Sequence, residues 1–166
     1  DIDCEVGAMT SRPQFEKVMN YIQIGKDEGA RVMCGGGQPD DPKLKKGLFV
    51  QPTVFADVKQ SMRIATEEIF GPVICVLKWD DEEQLLADVN AVEYGLSGAV
   101  YTNDLATAHR VGSRIDSGYI WINRSSGLAP GSPFGGMKQS GIGREFCLGQ
   151  LLDCTQIKNF YITLKP

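Results

Sequence analysis

The sequence predicts an α/β fold, a mainly parallel sheet with helices on both faces, and three observations carry that expectation. β-prone runs at 73–79, 97–101 and 118–123 alternate with stretches of helical periodicity at 81–92 and 104–115. Each connection is long enough for the crossover that joins parallel neighbours, and such crossovers are nearly always right-handed. With 42% hydrophobic and 23% charged residues in a chain of 166, there is apolar material for a real core and no excess of charge to oppose its collapse.

The elements follow in order. Ser11 can cap a helix that carries Pro13 early in its first turn; Phe15, Val18, Met19, Tyr21 and Ile22 then recur at helical spacing until Gly25 and Gly29. Arg31 to Cys34 is a short apolar stretch that stops at Gly35-Gly36-Gly37, and the polar, proline-bearing residues 38–47 form a surface loop. Phe49 to Phe55 is β-prone but contains Pro52, which predicts an edge or irregular strand. A helix over Met62 to Ile69 would be stopped by Gly71-Pro72. Val73 to Trp79 reads as a buried strand, Asp81 to Val92 as a helix, Ser97 to Tyr101 as a strand, Asp104 to Ile115 as a helix and Gly118 to Asn123 as a strand. Residues 124–145 are too rich in glycine for a regular element, and a loop of that length inside a compact domain is usually functional or disordered. A short helix at Phe146 to Leu152 leads to Gln156 to Leu164, a terminal strand whose open edge can pair with another chain. No linker or internal repeat divides the chain.

Charge and cysteine content exclude several classes. A net charge of −4 offers no basic surface for nucleic acid. The longest apolar runs, such as 73–77, fall far short of the roughly 20 residues that span a membrane. The five cysteines, at 4, 34, 75, 147 and 154, form no CxxC pair, and the chain has one histidine, so neither a zinc site nor a disulfide framework is expected. Reduced thiols in a cytoplasmic protein fit best. The opening DIDCEVGAMT has no basic flank or apolar signal core and reads as the middle of a longer chain or as a processed end.

The segment TEEIFGPVICVLKW, 66–79, holds the strongest chemical signal. In the helix expected there, Glu67 and Glu68 would occupy the last turn, where the helix dipole penalises each negative charge by roughly 0.3–1 kcal/mol. A carboxylate accepts two hydrogen bonds, which suits vicinal ribose hydroxyls, and a phenyl face can lie against a flat heteroaromatic ring. At the mouth of a parallel sheet, Glu68 and Phe70 could hold a nucleotide sugar and base. The same residues also read as a surface carboxylate and a core phenylalanine.

Other candidates reduce to structure. GGMKQSGIGREF misses the Walker pattern, and Phe146 stands where a dinucleotide fingerprint needs its third glycine, so a tight turn is expected there. Cys147 and Cys154 have no local base, and Asp153 would disfavour a thiolate at its neighbour. His109 lacks partners at ligand spacing and reads as a solvated helix histidine, with Arg110 and Arg114 on the same kind of face. No catalytic residue and no metal ligand is expected in the chain.

Read together, EEIFGPV (67–73), GLFVQPTVF (47–55), YGLSGAVYTND (94–104) and PFGGMKQSGIGRE (133–145) resemble the C-terminal part of the NAD(P)-dependent aldehyde dehydrogenase superfamily, and VGAMTSRPQFEKV (6–18) is similar to a helix-leading segment there. The resemblance runs from about residue 1 to 164. It implies a partial catalytic domain over 1–153 and an oligomerisation strand over 154–166, which would join a homo-oligomer. It further implies NAD or NADP as cofactor, a small-molecule aldehyde as substrate and a carboxylate as product. Glu68 would bind the nicotinamide ribose and Phe70 would pack on the nicotinamide.

The same resemblance makes Phe134 a wall of the aldehyde tunnel and places Leu128 where several relatives carry an aromatic residue. DDPKLKKG (40–47) resembles the betaine-aldehyde and aminobutyraldehyde branch, whereas Leu128 removes a ring that would favour a quaternary ammonium, so the aldehyde stays open. The family's nucleophilic cysteine, in a GQxC setting, and its glutamate base have no counterpart here: Gly149-Gln150 is followed by Leu151-Leu152-Asp153-Cys154. The chain alone is therefore expected to be inactive. The alternatives are a non-catalytic, truncated interaction module and an independent small nucleotide-binding domain.

Overall fold

The structure, a computed structural model, describes residues 5–165. They form two compact units, divided in the chain between Leu85 and Leu86. Cys4 and the start of the opening segment lie outside the described residues.

In the first unit, extended Ser11 caps α1 (Arg12–Asp27) by accepting from the Gln14 amide at 3.4 Å, and proline stands in the first turn, where a missing N–H leaves no bond unmade. The expected apolar stripe is present, with Val18 and Ile22 essentially sealed from solvent. β1 (Arg31–Cys34) pairs antiparallel with β2 (Thr53–Ala56), and β2 pairs parallel with β3 (Val73–Cys75) across the one-turn helix α2 (Arg63–Thr66). Phe55, fully buried on β2, joins Val18, Ile22, Val58, Ile64 and Ile69 in the core.

Two expectations change here. β2 is the central strand of its sheet, not an edge, because Pro52 falls one position before the strand and removes no ladder bond. β3 is short and buried on one face only: Val73, Cys75 and Leu77 pack on the core, while Ile74, Val76 and Trp79 stand exposed. The pattern is that of a strand covered on one side in this unit.

In the second unit, α3 (Glu82–Asn90) runs across the division, followed by β4 (Tyr94–Gly95), β5 (Ser97–Val100), α4 (Leu105–Gly112) and β6 (Tyr119–Ile122). β5 and β6 pair parallel from Ser97↔Tyr119 to Val100↔Ile122, which is the βαβ unit the alternation predicts. Asp104 caps α4, accepting from the amides of Ala106 at 3.3 Å and Thr107 at 2.9 Å, and α4 buries Ala108 and Val111. The Thr107 hydroxyl and amide hold the Asp104 carboxyl below the usual range.

The α/β class holds, with antiparallel pairings added to the parallel ones. The glycine-rich stretch contains a two-residue strand, β7 (Met137–Lys138), antiparallel to β4. Lys138 Nζ also donates to the carbonyls of Asn90 at 2.7 Å and Val92 at 3.2 Å, which satisfies the end of α3. The last helix is α5 (Leu148–Asp153), slightly later than predicted. Residues 156–164, expected as a strand, join no ladder among the described residues and are exposed throughout.

Candidate functional site

The EEIFGP turn is not a helix end of the predicted kind. α2 stops at Thr66, and Glu67 follows in extended backbone at φ −102°, ψ 142°. A single turn carries little dipole, and Glu67 is held by the residue one turn earlier: Arg63 donates from Nε to Oε1 at 2.9 Å and from Nη2 to Oε2 at 2.8 Å. The Tyr21 hydroxyl of α1 adds a bond to Oε2 at 2.7 Å. Arg63 first, then Tyr21, hold the Glu67 carboxyl down at about 2. The bond to Glu67, aided by burial, raises Tyr21. Glu67 is thus a structural carboxylate, and the expected dipole penalty does not apply to it.

Glu68 differs from its neighbour. It is exposed, and its carboxylate has no hydrogen bond or ion pair among the described residues. Ile69 then turns into the core at 8% exposure, and Phe70 turns out at 70%. The reversal is made by the backbone, since Phe70 adopts φ +58°, a left-handed conformation that costs an ordinary residue roughly 1–3 kcal/mol. Gln14 Nε2, from α1, donates to the Phe70 carbonyl at 2.6 Å and to the Ile69 carbonyl at 3.3 Å. Next in the chain, Gly71 lies so close to α1 that a Cβ there would sit 2.5 Å from a Val18 methyl. The corner therefore rests on a packed helix. The sequence singles out Glu68 and Phe70 as candidates but not Gln14, which is 56 positions from Phe70 and gives no local signal.

In the second unit, Phe134 is half-buried and meets Tyr119 edge-on, ring centroids 5.6 Å apart, while Tyr119 contacts Trp121 at 5.0 Å. Trp121 Nε1 donates to the Gly127 carbonyl at 2.8 Å, pinning the loop immediately before half-buried Leu128. Arg124 Nε bonds the Ser126 carbonyl within the same loop. Phe134 and Glu145 exchange both backbone bonds, at 3.0 and 2.7 Å, so the glycine motif closes on itself as a turn. Gly118 permits the approach of the Gly135 carbonyl, which a Cβ would overlap. Arg144 then threads the turn, donating to the carbonyls of Gly136 at 2.9 Å and Gly143 at 2.6 Å. These bonds account for the glycines without a phosphate.

The cysteines show no nucleophilic arrangement among the described residues. Cys34, Cys75, Cys147 and Cys154 are free thiols, and burial raises Cys75. Cys147 and Cys154 face an open cleft of about 440 Å³ with Phe146, Leu148 and Leu151, which includes none of the four predicted site residues. Among the described residues no three His, Cys, Asp or Glu side chains cluster as metal ligands, and no helix is long and apolar enough to cross a membrane.

A model of the aldehyde dehydrogenase family matches residues 1–160. The chain belongs to that family. It is 50% identical over 162 residues to a betaine aldehyde dehydrogenase of Rhizobium johnstonii, covering 98% of this chain and 33% of the relative. It is 45% identical over 162 residues to aldehyde dehydrogenase tropH of Talaromyces stipitatus, covering 96% of this chain and 32% of that protein. The chain spans about a third of the length of the curated relatives it matches. Among solved aldehyde dehydrogenases, the NAD+ complex of the Bacillus cereus enzyme superposes with a TM-score of 0.89 at 42% identity, covering 99% of this chain and 33% of that one. The NAD+ complex of the Mycobacterium tuberculosis enzyme gives 0.81 at 46% identity over 87% of this chain and 29% of that one.

Proposed function

We propose that this chain is part of an enzyme that oxidises an aldehyde to a carboxylic acid with NAD or NADP, and that Glu68 and Phe70 are its contribution to the cofactor site. One observation carries the reading: a carboxylate with no partner among the described residues stands two positions before a ring held 70% exposed on a left-handed corner. Glu68 offers acceptors to both vicinal hydroxyls of the nicotinamide ribose, and Phe70 offers a flat apolar face to the nicotinamide. When bound, the cofactor takes up hydride from the aldehyde carbon. The NAD+ in the Bacillus cereus and Mycobacterium tuberculosis complexes supports this choice.

Leu128 and Phe134 form part of the aldehyde path. The Tyr119–Phe134 contact and the Trp121–Gly127 bond stiffen that wall, which favours a defined approach for the substrate. Similar proteins act on betaine aldehyde, a quaternary ammonium; Leu128 supplies no aromatic face for such a cation. The substrate class in this reading is aldehydes.

Gln156 to Leu164 pairs with the sheet of a second copy in this reading, supported by its lack of a ladder among the described residues and by the exposure of Ile157, Phe160, Tyr161, Ile162 and Leu164. Its setting is the cytoplasm, which the free thiols support. Alone, the chain has no dehydrogenase activity, since none of its cysteines follows a GQxC pattern.

The test is formation of reduced nicotinamide with a panel of aldehydes, using the isolated chain and a full-length polypeptide that contains it. The isolated chain should be silent. In the longer polypeptide, Glu68→Gln should raise the KM for the cofactor about tenfold, the equivalent of one charge-assisted hydrogen bond. Activity from the isolated chain, or an unchanged cofactor KM, would sink the assignment.

A further inference from the structure

Phe70 has three structural peculiarities at once: a positive φ without being glycine, high exposure, and a buried residue immediately before it. A left-handed corner of this kind persists only where its surroundings enforce it. The side chain doing so is Gln14. Its amide nitrogen reaches two successive carbonyls, Ile69 at 3.3 Å and Phe70 at 2.6 Å, and these straddle the peptide unit that changes direction. Gln14 is itself held, being in the first turn of α1 with its backbone amide on the Ser11 hydroxyl. One turn further along α1, Val18 fills the space against Gly71.

We infer that Gln14 is the positioning residue for Phe70: it sets the direction of the ring from α1 without itself needing to touch the reacting atoms. The inference rests on the reading of Phe70 as the nicotinamide platform and deepens it. An amide is the fitting group, since both targets are acceptors and the side-chain nitrogen carries two N–H donors. Glutamate has the same shape and no donor when ionised, so it sets a negative charge against two carbonyl oxygens.

The experiment compares Gln14→Glu and Gln14→Lys in the full-length polypeptide, with Phe70→Ala as reference. Lysine restores a donor on a flexible stem. Two readouts are taken. The first is hydrogen exchange of the Val73 amide, bonded to Gly71 O at 2.7 Å, and the Thr53 amide, bonded to Pro72 O at 2.9 Å, which report whether the corner holds. The second is the separation of kcat from the cofactor KM.

The expected result for Gln14→Glu is faster exchange at both amides and a fall in kcat of roughly ten- to a hundredfold, the scale of a misplaced reacting group, with recovery in Gln14→Lys. Unchanged exchange and kinetics in a folded Gln14→Glu protein overturn the inference. So does a uniform loss of stability that Gln14→Lys fails to repair, because that describes a merely structural residue. Faster exchange with unchanged kinetics, matched by an unaffected Phe70→Ala enzyme, overturns instead the reading of Phe70 as the platform on which the inference stands.

Discussion

Arg63 grips Glu67 through both carboxylate oxygens, at 2.9 and 2.8 Å, while the adjacent Glu68 carboxylate makes no hydrogen bond or ion pair among the described residues. Two chemically identical neighbours thus have different surroundings. The first anchors the turn to α2 and, through Tyr21, to α1; the second is left available.

The anchoring should appear as acid sensitivity. The folded-state value of Glu67 is depressed from 4.5 to about 2, so its contribution is complete above the unfolded value and disappears as pH falls through the folded one. Urea midpoints of the parent and Glu67→Gln should differ at pH near 7 and converge below about pH 2. A difference that persists unchanged in acid would show that charge is not involved.

Phe55 is the fulcrum of the first unit's core. Its side chain is fully buried on the central strand, so Phe55→Ala should cost about 3–5 kcal/mol in chemical unfolding. A loss below about 1 kcal/mol would mean that the site collapses freely and that the core is loosely packed.

The alternation of β-prone and helical stretches makes the βαβ unit of β5, α4 and β6 legible, because Asp104 signals its helix start and β6 is a run of aromatic and β-branched residues. The antiparallel β1–β2 pairing is not legible in the same way, since a short strand followed by a proline-bearing loop carries no mark of direction. Pro52 misled because its effect depends on whether it falls inside the ladder or one residue before it. At the proposed site, residue type singles out Glu68 and Phe70 as candidates, whereas Gln14 became visible only when folding brought α1 against residues 69 and 70.

The α4 cap can be tested alone. Asp104→Ala removes acceptors for the Ala106 and Thr107 amides and should lower the urea midpoint, with Asp104→Asn recovering most of the shift. No loss in the alanine variant would mean that solvent replaces the cap at no cost.

Leu128 offers a test of the aldehyde path. Placing a ring there, as Leu128→Tyr in a full-length polypeptide, should lower the KM for betaine aldehyde about two- to fivefold relative to a neutral aldehyde of similar size, the range of an exposed cation–π contact. Equal changes for both aldehydes would rule out a cation–π contact, and no change for either would remove position 128 from the path.

The left-handed backbone at Phe70 restricts which residues evolution or an engineer can place there. Asparagine and glycine suit the corner but abolish the ring; valine and isoleucine keep apolar character but branch at Cβ, where this conformation is least tolerant. Tyrosine and tryptophan keep a ring at the backbone cost that phenylalanine already carries. Position 70 therefore has an alphabet set jointly by main chain and ring, and a hydrophobic replacement judged conservative by side chain alone will behave as a radical one.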